Sequence, residues 1–520
     1  MNMYSKQYEF TNIADMMLGN TMGRPEHHPM FIDADTGESV TLYRFRLLIH
    51  HLHAGLKRFG LQRGDTVCIY TPNNIYMAPI YFGVMSAGMA ISPANSSYVA
   101  HELQHQLNVG EAKMLIAHPS TLDRALEAAA AIGLPRSSVF SIVRDPQQRV
   151  PCWLETLIDF TQPSLPPIRL THEESVNTVA YLCFSGGTTG RNPSIKKMIL
   201  GALPLYHFGG IHRAFTLGIP SGSTTVIMEK YTVKGACEAI QRFKVTDFQT
   251  APPIIIQFLN NPIVNSYDLS SLRALNVGAA PIAANHVTQF EKKFQGATLL
   301  NTYGMSEASP GITYQQPEWA RPDTIGRIAP FMKYKIINPK DGNEVKLGET
   351  GELCLKGPNV MLGYKGNPEA TAEAIDTEGW LHSGDICKED KDGNIFLVDR
   401  IKELIKYKGF QVAPADLESV IFDCPYVADN VVIGIHDKQQ DTEIPLAFVV
   451  LDPKVVTLNE QKDIQLKIQA WVNERVANHK RLRGGVVVID KIPRNAAGKL
   501  LRREAKEIYN KQQQQRSSKL

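Results

Sequence analysis

Two hydrophobic periods alternate along this chain. Over residues 42–60 apolar side chains recur at helical spacing and the run stops at Gly60, which predicts an amphipathic helix. Residues 65–70 (DTVCIY) and 113–117 (KMLIA) are instead short apolar runs of strand length. A strand is expected over 176–183 (VNTVAYLC), followed by strands at 200–206, 223–228, 248–251, 273–277 and 297–302. Helical stretches lie between them, with 232–243 a clear example. This alternation predicts α/β architecture with mostly parallel sheets, in which ligands sit beyond the carboxyl ends of the strands.

From about residue 325 the pattern changes to short β pieces with glycine turns, such as TGELCLKG and DGNIFLVD, predicting a small β-rich part. A lysine-rich turn at Asp399-Arg400-Ile401-Lys402 then opens a smaller α/β module. Its expected elements are a helix at 416–422, strands at 431–435 and 446–450, and a helix at 464–477. In that last helix Ile464, Ile468, Trp471, Val472 and Val476 share one face. The expected division is a large N-terminal body over 1–399 and a C-terminal lid over 400–520.

Residues 71–100 carry no Asp, Glu, Lys or Arg, but Pro72, Pro79, Gly83, Gly88 and Pro93 interrupt them. They are expected to form a buried helix and a short strand at 89–92, with no transmembrane segment. A chain of 520 residues implies two to four domains, and 43% hydrophobic with 21% charged residues is ordinary for a globular protein. A net charge of +3 gives no reason to expect a nucleic-acid partner. Seven cysteines stand singly with no CxxC pair, which argues against a disulfide framework or zinc site and fits a reducing compartment. The N-terminus has no apolar signal core. The chain ends in Ser518-Lys519-Leu520, which matches the address read by the peroxisomal import receptor, after a polar tail expected to be unstructured.

Candidate chemistry starts at Phe184, followed by Ser185, Gly186, Gly187, Thr188, Thr189 and Gly190. Glycines let backbone N–H groups turn toward an anion and threonine hydroxyls add donors, so this is the composition of a phosphate cradle. No Gly-Lys-Ser/Thr closes it, so it is not a Walker A loop. Two more motifs follow expected strands: GAAP at 278–281 and YGMSE at 303–307.

The ordered set FSGGTTG, LPLYH (203–207), GAAP, NTYGMSE (301–307), GWLHSGD (379–385), VDRIKELIKYKGFQVAP (398–414) and IPRNAAGKL (492–500) resembles the adenylate-forming acyl-CoA ligase superfamily. The stretch 398–414 is most similar to the 4-coumarate–CoA ligase and firefly-luciferase branch. The peroxisomal ending is similar to that branch and to fungal acyl-CoA ligases of secondary metabolism. The resemblance implies that a carboxylic acid attacks the α-phosphate of ATP, releasing pyrophosphate, and that coenzyme A then displaces AMP. By the same resemblance the loop Ser185 to Gly190 holds the phosphates. Gly278, Ala279 and Ala280 line the adenine, with the Tyr303 ring against its face, and Asn301 and Thr302 belong to the same nucleotide-binding set. Ser306 touches the α-phosphate and Glu307 holds Mg²⁺. Asp385 accepts the ribose hydroxyls with Arg400 nearby, and Lys499 bridges carboxylate and α-phosphate. Lys402, Lys406, Lys408, Gly409 and Phe410 form a hinge and a coenzyme A-facing loop, presented when the lid turns. His207 gates an acyl pocket that includes Gly304, Pro310 and Gly311. These residues are mostly small or apolar, and admit aryl-propenoates and medium-chain fatty acids alike.

One departure stands out. In the family the glycine loop continues as Pro-Lys-Gly into a helix. Here Arg191-Asn192-Pro193-Ser194-Ile195-Lys196-Lys197 follows, and Leu203 lies only 13 positions after Gly190. The helix and loop lysine are missing, as after an internal deletion or a mis-joined exon. A lost helix uncovers an apolar sheet face, at about 1.5–3 kcal/mol for each large side chain. Two alternatives therefore stand beside an active ligase: an impaired or inactive variant, and adenylation with an acceptor other than coenzyme A.

Overall fold

Thr41 and Gly60 bound the first long helix, Leu42–Phe59: the threonine hydroxyl accepts from the Arg44 N–H, and Gly60 closes the helix at φ 104°, a left-handed conformation that suits glycine. Its apolar stripe, Phe45, Leu48, Ile49, Leu52 and Leu56, is fully buried. The computed structural model describes residues 12–19, 22–181, 197–278, 282, 284–330, 332–401, 403–408, 410–437, 440–452, 455, 461–494 and 500–517.

The uncharged segment forms the helix Met77–Ser86, in which every residue is buried, and the strand Ala90–Ala94. Gly83 lets this helix approach its neighbour, because a Cβ there would sit 2.6 Å from Leu52 Cδ2. Among the described residues no helix is long and apolar enough to cross a membrane.

Two sheets build the N-terminal body, as expected of alternating strands and helices. The larger runs Thr298–Asn301, Ala274–Val277, Asp247–Thr250, Met198–Gly201, Thr224–Ile227, Pro29–Asp33, Ser39–Thr41. It is parallel except for the last pair. The smaller sheet, Ala90–Ala94, Thr66–Tyr70, Ala112–Ala117, Val139–Ser141, is parallel throughout. A four-stranded antiparallel sheet follows: Lys333–Ile337, Gly351–Lys356, Leu381–Glu389, Ile395–Arg400. Its inner residues Leu353, Leu355, Leu381 and Ile395 share a core with Tyr303, Ala308 and Ile312, so this sheet backs the loop that follows Thr298–Asn301.

The C-terminal part has the helix Pro414–Phe422 and a sheet of Val427–Asp437, Thr442–Leu451 and Gly485–Val488. In the helix Gln461–Asn473, Ile464, Ile468 and Val472 are buried, with Trp471 and, just beyond the helix, Val476 packed beside them. The expected division at 399/400 falls inside the strand Ile395–Arg400. There Asp399 accepts from the Arg400 and Ala415 N–H groups at 2.7 and 2.9 Å, fastening the strand to the start of the helix Pro414–Phe422. Next to it Arg502 grips both oxygens of buried Glu418 at 2.9 and 2.7 Å and also pairs with Glu403. Burial pushes the Asp399 and Glu418 carboxyls upward, and Arg502 pulls against that shift.

Three expectations are corrected. Of the strand expected at 176–183, residues 176 and 177 end the helix His172–Asn177, 178–180 are not strand, Tyr181 makes an isolated bridge to Ile91, and 182–183 lie outside the described residues. A capping box starts this helix: the Thr171 hydroxyl accepts from Glu174 N–H while the Glu174 carboxylate accepts from Thr171 N–H, and the turn so nucleated takes in Val176 and Asn177. The strand expected at 200–206 spans Met198–Gly201, and Pro204 belongs to the turn after it. The tail expected to be unstructured continues the helix Arg502–Ser517, anchored where Ala505, Ile508 and Tyr509 pack on Val431, Ile433 and Phe448.

Candidate active site

The parallel register sets where the candidate residues emerge. Val277 pairs with Asn301 on one side and Thr250 on the other, so Gly278 and Thr302 leave the same edge of the sheet. Thr302 is tied back by its N–H and its hydroxyl, both donating to the Val277 carbonyl at 2.9 and 3.0 Å. Asn301 donates through Nδ2 to the carbonyls of Pro322 and Thr324.

Tyr303 opens a closed loop. Its carbonyl accepts from the N–H groups of Ile312 and Thr313, and its N–H donates to the Thr313 hydroxyl. Gly304 bridges Gly311, Met305 N–H donates to Pro310 O at 3.0 Å, and Asn359 Nδ2 clamps the carbonyls of Ala308 and Gly311. Ser306 and Glu307 therefore ride on a short 3₁₀ turn, Ser306–Ala308, held at a fixed loop tip. The Tyr364 hydroxyl donates to Glu307 Oε1 at 2.9 Å, and Met361 N–H donates to the Glu307 carbonyl at 2.7 Å. Burial first and then the Glu307 charge push the Tyr364 phenol up to about 12, so it stays a donor at neutral pH.

Asp385 lies on the strand Leu381–Glu389 opposite Arg400 in register. It is buried, at 3% exposure, and both oxygens are engaged: Oδ2 accepts from the Tyr303 hydroxyl and Oδ1 from Arg400 Nε at 3.2 Å. Its N–H donates to the Ser383 hydroxyl at 3.1 Å. Burial, reinforced by the Asp385 charge, pushes the Tyr303 phenol well above its usual range.

His207 caps the short helix Phe208–Ile211 beyond the strand Met198–Gly201, with its ring 4.7 Å from that of Tyr206. The turn before it is clamped by the loop after the strand Thr66–Tyr70 and by the helix Met77–Ser86. Asn73 Nδ2 donates to Leu203 O, Asn73 Oδ1 accepts from Leu205 N–H at 2.7 Å, and the Tyr81 hydroxyl donates to Leu205 O.

Lys406, Lys408 and Phe410 sit on the hairpin of Ile405–Tyr407 and Phe410–Val412 in the C-terminal part. Lys406 and Lys408 line a cavity of about 370 Å³ with His436, Thr442 and the carboxylates Asp441 and Glu443. Lys408 N–H donates to the Thr442 hydroxyl at 2.8 Å. Phe410, 53% exposed, stacks on His479 at 4.7 Å.

The structure thus joins Tyr303, Asp385 and Arg400 directly, with Glu307 on the same loop as Tyr303. It holds His207 at the end of another strand of the larger sheet. It carries Lys406, Lys408 and Phe410 on a separate hairpin. Ser185, Gly186, Gly187, Thr188, Thr189, Gly190, Ala279, Ala280, Lys402, Gly409 and Lys499 lie outside the described residues. Sequence reading missed Tyr364, Asn359 and Asn73. The last was signalled by an amide side chain within an otherwise uncharged, apolar run.

Residues 20–193 and 191–365 match the AMP-binding enzyme family, and residues 416–499 match the AMP-binding enzyme C-terminal domain. The chain belongs to the AMP-binding enzymes. Like them it has a large N-terminal part and a small C-terminal domain, and it is an enzyme of the AMP-forming acid–CoA ligase family. It is 31% identical over 504 residues to 4-coumarate–CoA ligase 1 of Petroselinum crispum, covering 91% of this chain and 90% of that one. It is 33% identical over 503 residues to the probable CoA ligase CCL5 of Humulus lupulus, covering 91% and 89%. These relatives put it in the 4-coumarate–CoA ligase-like branch. In fold it is similar to ATP-bound MatB from Rhodopseudomonas palustris, with a TM-score of 0.83 at 23% identity, covering 96% of this chain and 99% of that one.

Proposed function

We propose that this AMP-binding enzyme activates a carboxylic acid as its acyl-adenylate and passes the acyl group to coenzyme A. The observation that carries the reading is the buried Asp385 carboxylate, held between Tyr303 and Arg400 at the edge where Gly278 and Thr302 leave the sheet. A carboxylate is an acceptor-only group, the partner that ribose hydroxyl donors require.

A carboxylate oxygen attacks the α-phosphorus as the bond to pyrophosphate breaks. The coenzyme A thiolate then attacks the acyl carbon and AMP leaves. The first step brings two anions together, so fixed cations and N–H donors are required. Lys499 is assigned the bridging charge, and Ser306 a donor to the α-phosphate. Glu307 fits Mg²⁺, because the ion needs one or two carboxylates beside phosphate oxygens and waters, and Tyr364 occupies only one Glu307 oxygen. When bound, Mg²⁺ would neutralise phosphate charge. Lys406 and Lys408, on the cavity wall of the C-terminal part, supply the charge expected to face coenzyme A. That part is assigned as a lid beginning after residue 399.

Carboxylate-dependent ATP–pyrophosphate exchange, followed by AMP release that requires coenzyme A, tests the reading. AMP release with another acceptor and no need for coenzyme A would replace the second step. A panel of carboxylic acids, from aryl-propenoates to medium-chain fatty acids, identifies the substrate.

A second reading is favoured by one observation: the family match breaks into two stretches that meet at 191–193, where the family's Pro-Lys-Gly is absent. On that reading this chain adenylates weakly or not at all. Restoring a family-like segment after Gly190 would then raise exchange, whereas a normal rate without it discards the idea. Peroxisomal import through Ser518-Lys519-Leu520 is proposed with it, and is tested by following a tagged chain with and without the tripeptide.

A further inference from the structure

We propose that Glu352, Cys354 and His382 form a binding site for a thiophilic divalent cation of the zinc type, separate from the Mg²⁺ position assigned to Glu307. Glu352 and Cys354 lie on the strand Gly351–Lys356, and His382 lies on the antiparallel neighbour Leu381–Glu389, opposite Cys354 in register. One donor atom from each falls within 4.8 Å of the others. His382 Nδ1 is 3.6 Å from Cys354 Sγ and 3.0 Å from Glu352 Oε2.

Those spacings are close to what one small cation imposes. Bonds of about 2.0–2.1 Å to nitrogen or oxygen and about 2.3 Å to sulfur, at tetrahedral angles, set ligand atoms roughly 3.3–3.6 Å apart. The sulfur–nitrogen pair already has that separation. The nitrogen–carboxylate pair has to open by only a few tenths of an ångström, on the order of a side-chain adjustment, and the sulfur and carboxylate lie within 4.8 Å of each other.

A second observation points the same way. Asp376 Oδ2 lies 3.6 Å from His382 Nε2, on the far side of the ring, and Asp376 Oδ1 is pinned by the N–H groups of Glu378 and Trp380. A carboxylate behind an imidazole is the arrangement that fixes the hydrogen on one nitrogen and aims the other at a metal. Glu352 is oriented likewise: Oε1 accepts from Gly384 N–H at 3.1 Å, which leaves Oε2 facing the histidine and thiol. Cys354 is fully buried, whereas the His382 side chain is 30% exposed and provides an entry and room for a water as fourth ligand.

A histidine bridging two carboxylates would account for Asp376 and Glu352 but leaves the thiol without a purpose. Thiolate and imidazole donors select Zn²⁺ and its relatives over Mg²⁺ or Ca²⁺, which take oxygen. On binding, the sulfur–metal bond replaces the S–H bond and the thiol proton goes to solvent. The ring hydrogen that Nδ1 donates to Glu352 Oε2 is given up to solvent as Nδ1 takes the metal, and a hydrogen taken up at Nε2 faces Asp376.

Co²⁺ is the probe. The full-length protein, reduced and freed of metal, is titrated with Co²⁺ and followed by absorption. One equivalent is expected to produce the visible bands of a tetrahedral ion and a near-ultraviolet thiolate-to-cobalt band, displaced by Zn²⁺ and unmoved by excess Mg²⁺. Cys354→Ser should abolish the near-ultraviolet band, and Asp376→Asn should weaken Co²⁺ binding about 10- to 100-fold. The site is overturned if the wild-type protein shows no such band, if the band survives in Cys354→Ser, or if Mg²⁺ displaces it. The wild-type titration decides on its own should a variant fail to fold.

Discussion

The phenol of Tyr303 donates to the carboxylate of Asp385, joining two segments 82 residues apart in the chain. Burial and the Asp385 charge keep the phenol protonated far above neutral pH, so this bond persists across the working range.

Asp385→Ala is therefore expected to raise the KM for ATP more than Tyr303→Phe does, with the KM of the acid little changed in both. A hydrogen bond to a charged group is worth about 1.5–3 kcal/mol, which sets the phenylalanine effect at about ten- to a hundredfold. Pyrophosphate exchange at varied ATP and fixed acid measures it. Equal effects on both substrates would remove Asp385 from the nucleotide site.

Tyr364 holds one oxygen of Glu307. Partners that orient a metal ligand are typically worth 10- to 100-fold in affinity, so Tyr364→Phe should raise the Mg²⁺ concentration for half-maximal exchange by about that factor. Mn²⁺ binding followed by electron paramagnetic resonance, in the presence of ATP, provides a readout that does not depend on turnover.

Arg502 compensates the buried Glu418 carboxylate and reaches Glu403. Removing one member of a buried ion pair costs about 3–5 kcal/mol, and Arg502→Ala should destabilise the C-terminal part accordingly. Replacing Glu418 as well, in Arg502→Met with Glu418→Gln, should recover part of the loss. Denaturant unfolding of the two variants beside the unaltered protein checks both expectations.

Asp145 gives an acid-sensitive contribution. The Arg149 guanidinium and backbone N–H bonds hold this buried carboxyl from 3.8 down to about 2. Because the folded value lies below the unfolded one, its stabilisation is complete above about pH 4 and disappears as the pH falls toward about 2. Asp145→Asn should cost about 1.5–3 kcal/mol at neutral pH and flatten the dependence of the urea midpoint between those limits. An unchanged slope would mean that other carboxyls govern it.

Much of this architecture was legible in period alone. Gly60 and the apolar stripe before it placed a helix, and the strands from Asp247–Thr250 to Thr298–Asn301 followed from short apolar runs between helical ones. Local capping was harder to read: the Thr171–Glu174 box carries a helix through Val176 and Asn177, and Ala505, Ile508 and Tyr509 anchored a helix that extends through the glutamine tail. Pairing across strands leaves almost no trace in order. Tyr364 reaches Glu307 across 57 positions, and Cys354, unremarkable without a CxxC neighbour, meets His382 only because two antiparallel strands fall into register.

Neighbouring side chains on a strand face opposite ways, and the final two residues of Ile395–Arg400 use both sides. Arg400 grips Asp385, while Asp399 is fastened to the first turn of Pro414–Phe422. The anchor of that helix and the guanidinium beside Asp385 are thus one peptide unit apart, so the seam into the C-terminal part begins on the very residue that touches the Asp385 carboxylate.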